Sequence, residues 1–298
     1  MFVWLRWSPF LFVLTTSPFV FGQATDDLHL GKNSLYREVL DKGVTVGAAH
    51  ALKFPAPTIP DGLDKQGQLK ALEKLAGDDY PLDELTRNSI VAPHILKFRD
   101  IDVGDDAKVG RGVDLWFIAY GNLDKVTSAQ LQSQFLSNRK DNQVTQLKDA
   151  DLARRGIKVK NETEIEESYV HAVGAILDRV QVRSTNQTVI SRTKDSIVMA
   201  ARLDPRFNKD GDFPNQWRSI TLVDDKEQFG VIQPYEGAGM YVRMTKLHEP
   251  AGAIFIELHQ VFAEPKTWFN APNMLRSKLP IVIQAEVRAF RRELAKVK

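Results

Sequence analysis

Glu257 and His259 are the first residues in this sequence whose types and spacing could do chemistry. Residues two apart on a β-strand point to the same side, so this carboxylate and imidazole could form an acid–base pair or supply two metal ligands. Ile254, Ile256 and Leu258 alternate with them and form the opposite face. If that apolar face is the core, Glu257 and His259 lie on the outer side of the sheet or under an N-terminal segment. That position disfavours metal binding and catalysis.

The segment Asn208-Lys-Asp210-Gly-Asp212 superficially resembles a calcium-binding loop because its side-chain oxygens alternate. When Arg206 is counted as the first position, a glycine falls at the sixth, but the twelfth is Trp217 rather than the required glutamate. Calcium takes about six to eight oxygen ligands, which is more than this segment offers. The segment is therefore predicted to be a polar turn.

The other histidines and short motifs give no catalytic signature. His94 and His171 stand alone in strand-like segments, where a single histidine is usually hydrogen-bonded within the structure. The sequence lacks the nucleophile-elbow, zinc-protease, P-loop and dinucleotide-binding fingerprints. Serine, metal and nucleotide mechanisms are disfavoured, and we expect no metal site and no cofactor. A triad assembled from distant positions remains open.

The N-terminus is typical of an exported protein. Arg6 precedes a short apolar stretch over 10–21, and a small-residue cleavage pattern ends at Ala24. A membrane-spanning helix needs about 20 unbroken apolar residues, whereas prolines interrupt this stretch. We therefore expect residues 1–24 to be a signal peptide cleaved near Ala24-Thr25. The mature protein would be periplasmic or secreted and would keep no stable membrane span.

Composition limits the partners and the source of stability. The chain has no cysteine among its 298 residues, which excludes disulfides, thiolate nucleophiles and cysteine-ligated metals. A mature chain of about 270 residues is long enough to be stabilised by its core alone. The 40 basic and 38 acidic side chains of the full chain nearly balance, so bulk charge gives no reason to expect a nucleic-acid partner.

The pattern of apolar residues predicts an N-terminal arm with short helices over 25–88, followed by an α+β domain over 89–298. Three prolines make the segment 53–60 of the arm extended. Asp64 and Gly77 mark the ends of a helix. Its apolar stripe is predicted to be Leu69, Leu72 and Leu75.

The α+β domain is predicted to be rich in antiparallel strands. Residues 90–101 and 113–120 form a first strand pair around an Asp/Gly-rich hairpin loop, and two helical segments follow, over 127–138 and near 147–154. A long meander with one wet face comes next. Its strands are predicted over 165–173, 176–183, 188–192, 197–203, 219–223, 240–248 and 253–263. The turn between the last two strands pairs these strands with each other, so that one face of the final strand carries Ile254, Ile256, Leu258 and Phe262.

The chain ends in an amphipathic helix. A first piece over 271–277 is expected to stop before Pro280, after which Ile283, Val287 and Phe290 recur at helical spacing. The opposite side is expected to face water and carries Glu286, Arg288, Arg291, Arg292 and Lys296. The apolar stripe and the apolar strand face each need a partner and most simply pack on each other.

This order of elements resembles the START-related, helix-grip superfamily of lipid- and hydrophobe-binding proteins. The segment Glu264-Pro-Lys-Thr-Trp268, leading through Leu275 and Leu279-Pro280 into the last helix, is similar to the approach to the last helix in that superfamily. The resemblance covers roughly residues 111–298, and a plain α+β domain of another topology remains an alternative. In the superfamily a curved sheet grips the last helix around a cavity, so the resemblance implies a pocket for a hydrophobic ligand.

Three functions follow from these observations. The first is a non-catalytic binder of an apolar small molecule, whose cavity is expected to be lined by Ile254, Ile256, Leu258, Phe262, Ile283, Val287 and Phe290. The second is an enzyme with an acid–base site in the same cavity, for which the nearest candidates are Asp178, Glu167 and His171. The third is an envelope scaffold or interaction protein that uses the prolines of the arm and the basic last helix.

Overall fold

The fold is α+β: a long antiparallel meander sheet carries a C-terminal helix on one face. The computed structural model describes residues 28–46, 51–101, 108–126, 143–162, 164–269 and 274–297. The helices are α1 (Leu28–Lys32), α2 (Ser34–Asp41), α3 (Lys65–Ala76), α4 (Leu82–Leu85), α5 (Asp149–Ala153) and α6 (Met274–Lys296). The strands before residue 163 are β1 (Val44–Thr45), β2 (Ala51–Leu52), β3 (Ile95–Ile101), β4 (Lys108–Tyr120), β5 (Gln143–Gln146) and β6 (Asn161–Glu162). The later strands are β7 (Ile165–Ile176), β8 (Val180–Arg192), β9 (Ser196–Leu203), β10 (Gln216–Val223), β11 (Lys226–Phe229), β12 (Gln233–Pro234), β13 (Ala238–Lys246) and β14 (Ala253–Pro265).

The main sheet runs in the order β7, β8, β9, β13, β14, β4, β3, and every neighbouring pair is antiparallel. The strand β8 is long enough to have two neighbours on one edge: its first residues pair with β10 and its later ones with β9. The pair β3–β4 joins the meander beside β14. The strand β4 is therefore central, as its two-sided apolar pattern predicts.

Alternation along the strands divides the sheet into two faces with different covers. We call the face that carries Ile256 the helix side, because its apolar residues cluster with those of α6. The other face, the arm side, is covered by α2 and by α3 with their neighbouring segments. Both faces are buried, so the prediction of one wet face is wrong for the centre of this sheet.

The helix α6 is continuous from Met274 to Lys296, so the prediction of a break at Pro280 is wrong. Proline removes one backbone hydrogen bond in a helix interior. On either side of it, Leu275, Leu279 and Ile283 are buried in the helix-side cluster and hold the helix in one piece. The predicted segment 127–138 and residues 271–273 of the predicted piece over 271–277 lie outside the described residues.

Two further predictions fail locally. The predicted strand over 176–183 contains a turn, because Leu177 and Asp178 have positive φ, and 180–192 forms one strand instead of two. In α3, Asp64 does cap the helix by accepting a hydrogen bond from the backbone N–H of Gly67. Leu69, however, is 42% exposed, and the buried residues of this helix are Gln68, Leu72 and Ala76.

No helix among the described residues is long and apolar enough to cross a membrane.

Candidate functional site

The layer between the sheet and α6 contains all seven residues predicted to line a cavity. Ile254, Ile256 and Phe262 of β14 are buried in the same apolar cluster as Ile283, Val287 and Phe290 of α6. Leu258 is partly buried against that cluster. The ring of Phe290 meets Phe117 of β4 edge to face, with centroids 5.7 Å apart. Strand alternation and helical spacing thus bring the predicted residues together, and whether they enclose a space stays a prediction.

One end of the helix-side layer is aromatic. Trp268 lies just after β14, and its indole stacks on Tyr235 with centroids 5.8 Å apart. Trp217 of β10 and the neighbouring Phe269 both meet the Trp268 ring in edge-on contacts, at 6.0 and 6.3 Å. Burial raises the pKa of the Tyr235 phenol well above its ordinary value, so this phenol is neutral. We call these four side chains the aromatic end.

The helix side is not apolar throughout, because β8 crosses it with hydroxyl and amide side chains. Ser184, Asn186 and Thr188 are all buried there, and Asn186 donates a hydrogen bond to the Ser184 hydroxyl at 3.1 Å. Thr188 stands opposite Ala201, which belongs to the helix-side cluster. The face therefore combines an apolar area under α6 with polar side chains on β8.

A pocket of about 280 Å³ opens at the other end of the layer, near the last turn of α6. Gly121 lies in its wall, so close to Leu294 that a side chain at Gly121 would collide with it. Two of the lining residues, Leu123 and Ile254, belong to the helix-side cluster. The complete lining is Gly121, Asn122, Leu123, Lys246, Leu247, Gly252, Ala253 and Ile254.

Glu257 and His259 point to the arm side, as their alternation with Ile256 and Leu258 predicts, and both are completely buried there. His259 Nδ1 lies 2.8 Å from Asp114 Oδ1, and His259 Nε2 lies 3.5 Å from Glu257 Oε2. Burial lowers the pKa of His259, but the hydrogen bonds and charges of Asp114 and Glu257 outweigh it and raise the pKa above its ordinary value. The two carboxyl groups therefore favour the protonated form of the His259 imidazole.

The arm closes over this charged group through Thr58. The backbone N–H of Thr58 donates to Glu257 Oε2 at 2.9 Å, and its hydroxyl accepts from the Trp116 indole at 3.0 Å. On the far side Arg99 holds Asp114 with two hydrogen bonds, of 2.7 and 3.1 Å. Burial raises the pKa of Asp114, but His259 and Arg99 outweigh it and hold the pKa below its usual value. Both carboxyl groups and the imidazole are buried, and this group fastens the arm to the sheet.

A second polar contact between arm and sheet centres on Asp61. Its Oδ1 accepts hydrogen bonds from Arg243 Nη2 at 2.7 Å and from the Ser196 hydroxyl at 2.6 Å. Its Oδ2 lies 3.4 Å from His29 Nε2. Burial, together with the charge of Arg243, lowers the pKa of His29 to about 2, so this histidine is neutral in the fold.

The three candidates for an acid–base site do not meet. Glu167 and His171 lie four residues apart on β7, which separates them by roughly 13 Å along the strand. His171 contacts the hydroxyl of Thr185 at 2.8 Å and packs against Phe213, on the face opposite the helix side. Asp178 lies in the turn between β7 and β8. The structure gives these residues separate structural positions.

The calcium-like segment is a turn held by an ion pair. Arg155 makes two hydrogen bonds to Asp210, of 2.6 and 2.8 Å, and contacts Asp212 at 3.0 Å. The hydrogen bond from Arg155 is the main cause that lowers the pKa of Asp210 to about 2. Among the residues the structure describes, no three histidine, aspartate or glutamate side chains are arranged to hold a metal ion.

No protein-family model matches the sequence, and no curated protein matches it. A search of solved structures finds a likeness to the human StarD13 (DLC2) lipid transfer and protein localization domain. The likeness has a TM-score of 0.39 and 8% sequence identity, and it covers 76% of this chain and 95% of that one.

The aromatic end is the part of the layer that sequence reasoning missed. In the sequence, Trp268 stands out only as part of the approach to the last helix. Its contacts Trp217 and Tyr235 are 51 and 33 residues away in the sequence. A tryptophan placed directly between the last strand and an amphipathic helix was the available signal.

Proposed function

We propose that the protein is an exported, non-catalytic binder of an apolar small molecule, which it holds between the helix side of the sheet and α6. The observation that carries the proposal is the width of this apolar face compared with the width of the helix that covers it. The cluster on the helix side includes residues from β4, β14, β13, β9, β8 and β7. The backbone of α6 runs closest to β4, near one end of this series.

Six neighbouring strands span about 24 Å, because strands in a sheet are about 4.8 Å apart. An α-helix with its side chains is about 10–12 Å across, so α6 alone covers about half of that width. The apolar face continues beyond this width, because Val182 on β8 and Trp217 on β10 lie far across the sheet from β4 and belong to the same cluster. An apolar face that is wider than its helix supports the proposal that an apolar molecule is held between the two.

The alternative functions receive less support. An enzyme in this layer needs converging acid and base groups, but Glu167, His171 and Asp178 occupy separate positions, and the charged group around His259 is enclosed on the opposite face. A scaffold that uses the arm would need its prolines free, whereas the carbonyl of Pro55 accepts a hydrogen bond from Tyr241 at 2.8 Å and the next residues pack on the sheet.

Export is the part of the proposal that rests on the sequence alone. The order of a basic residue, a short apolar stretch and the small residue Ala24 supports removal of residues 1–24. N-terminal sequencing of the protein from the periplasm or medium should begin at or near Thr25. An intact Met1 in a membrane fraction would overturn this part of the proposal.

Ligand binding can be tested with N-phenyl-1-naphthylamine, a neutral fluorescent probe, and two variants of the same residue type on α6. Ile283 faces the sheet and is 8% exposed, whereas Ile281 is 56% exposed. If a ligand space exists, Ile283→Trp should fill part of it, leave the melting temperature within a few degrees, and lower probe affinity at least 10-fold. Ile281→Trp should change neither quantity.

The opposite result would come from a filled core. Overpacking a filled core costs about 1–3 kcal/mol, so Ile283→Trp would then lower the melting temperature clearly. The absence of saturable probe binding by the unmodified protein, together with that loss, would refute the proposed function.

A further inference from the structure

Within the part of the chain that the structure describes, the indole N–H of Trp268 is a buried hydrogen-bond donor without an acceptor. The side chain is 3% exposed, and no described residue accepts a hydrogen bond from Nε1. Its neighbours are the rings of Tyr235, Trp217 and Phe269. Buried donors almost always find an acceptor in a folded protein, so an unpaired one needs a physical explanation.

A second buried polar atom without a partner lies on the same side of the sheet. Thr188 is 2% exposed, and its hydroxyl oxygen has no hydrogen-bond partner among the residues that the structure describes. Thr188 pairs across strands with Ala201, a member of the helix-side cluster that also contains Trp268. Residues that pair directly across strands project from the same face. The layer proposed to hold the ligand therefore contains two buried polar atoms for which the described residues provide no hydrogen bond.

The place of Trp268 in the chain suits a ligand contact. The strand β14 ends at Pro265. The backbone N–H of Trp268 donates a hydrogen bond to the Pro265 carbonyl at 2.9 Å, which forms a turn. The helix α6 begins six residues later, at Met274. Trp268 thus stands where the chain leaves the sheet to become the helix, beside the layer between the two.

We infer that Trp268 binds the polar end of the ligand, and that the ligand is a neutral, mainly apolar molecule with an oxygen acceptor such as a carbonyl. This inference rests on the proposed function. An indole N–H can only donate, so its partner must be an acceptor. The surrounding side chains are aromatic and aliphatic, and burying an unpaired ion among them is costly. The ligand's acceptor is therefore an uncharged oxygen, and its apolar part lies against the helix-side cluster.

The test compares two probes of equal chain length, dodecane and 2-dodecanone, as competitors of N-phenyl-1-naphthylamine. A net hydrogen bond of ordinary strength corresponds to roughly 5- to 10-fold in affinity. The unmodified protein should therefore bind the ketone about 5- to 10-fold more tightly than the alkane. In Trp268→Phe this ratio should fall to about 1, with alkane affinity unchanged within about 2-fold. Trp217→Phe, which removes an indole from the same aromatic end, should keep the ratio.

A spectroscopic measurement on the unmodified protein guards against a Trp268→Phe variant that does not fold. In ¹H–¹⁵N spectra the ¹H signal of the Trp268 indole N–H should move downfield when 2-dodecanone is added. When dodecane is added instead, the signal should stay within about 0.1 ppm of its position in the ligand-free protein. Equal binding of the two competitors and an unmoved indole signal would overturn the inference while leaving the proposed function intact. If the fluorescent probe itself does not bind, the proposed function fails and the inference fails with it.

Discussion

Replacing Arg291 with alanine should destabilise the protein about as much as removing a large side chain from its core. The sequence places Arg291 on the solvent side of α6, but it is 4% exposed. Its guanidinium donates to the backbone carbonyls of Ile118, Ala92 and Pro93 at 2.8, 2.6 and 2.9 Å. It therefore ties the last helix to β4 and to the segment before β3.

The size of the effect follows from two opposing contributions. Hydrogen bonds from a charged donor contribute about 1.5–3 kcal/mol each, so three of them contribute about 5–9 kcal/mol. Burial, helped by the charge of Arg288, lowers the pKa of Arg291 to about 10. A shift of one pKa unit corresponds to 1.36 kcal/mol, so with some solvent screening this shift represents a desolvation cost of about 3 kcal/mol. Replacing Arg291 with alanine removes the charge and therefore recovers that free energy. The expected net loss is about 2–6 kcal/mol.

Urea unfolding followed by tryptophan fluorescence measures this loss directly, and Arg292→Ala is the matched control because Arg292 is exposed. Exposed substitutions usually stay within about 0.5 kcal/mol. The loss of stability in Arg291→Lys should lie between those of Arg291→Ala and Arg292→Ala, since lysine keeps the charge but lacks the planar set of donors of the guanidinium. If Arg291→Ala unfolds at the same urea concentration as Arg292→Ala, with an unchanged slope, the three carbonyl contacts do not stabilise the fold and this reasoning is wrong.

Phe290→Ala should cost about 3–5 kcal/mol in the same urea assay because Phe290 is buried against Phe117, whereas Ile281→Ala should stay within about 0.5 kcal/mol. His171→Gln should flatten the acid side of the stability profile: burial, assisted by the Arg183 charge, lowers the pKa of His171 to about 4. The unfolded chain therefore binds the proton at a higher pH than the folded protein does, so the free energy of unfolding falls by up to about 3 kcal/mol between about pH 6.5 and pH 4. Identical pH profiles of stability for His171→Gln and the unmodified protein would contradict this. Asp61→Asn should speed protease cleavage within the arm at least several-fold, because it weakens the contact with Arg243, and an unchanged rate would mean that Asp61 does not hold the arm.

The sequence predicted correctly those features that depend only on neighbouring residues along the chain. The alternation of Ile254, Ile256 and Leu258 identified the helix side correctly, because a strand has only two faces. The spacing of Val287 and Phe290 identified the buried stripe of α6 for the same kind of reason. The pairing of β13 with β14 followed from the turn between them. These features need no knowledge of the rest of the chain.

Features that depend on distant partners could not be predicted in this way. Arg291 looks exposed from its neighbours on the helix, but its acceptors are 173 and 199 residues away, at Ile118 and Ala92. Glu257 binds the backbone N–H of Thr58, a residue of the arm that is 199 positions away in the sequence. In each case the sequence shows the polar residue and not the distant backbone group that binds it. Arg291 was therefore placed on the solvent side, and for Glu257 and His259 the sequence left open whether they lie on the outer side of the sheet or under the arm.

The two faces of the sheet differ in how their buried polar groups are hydrogen-bonded, and this difference decides which face suits a ligand. On the arm side, the carboxylates of Glu257 and Asp61 accept hydrogen bonds from Thr58, Arg243 and other groups of the same chain. A molecule entering there would have to break these contacts and leave charges unpaired. On the helix side, Trp268 Nε1 has no hydrogen-bond partner among the described residues, as is also true of the second oxygen of Glu257, Oε1, on the arm side. A neutral molecule with an oxygen acceptor would add a hydrogen bond there and remove none, so binding on the helix side is the less costly of the two.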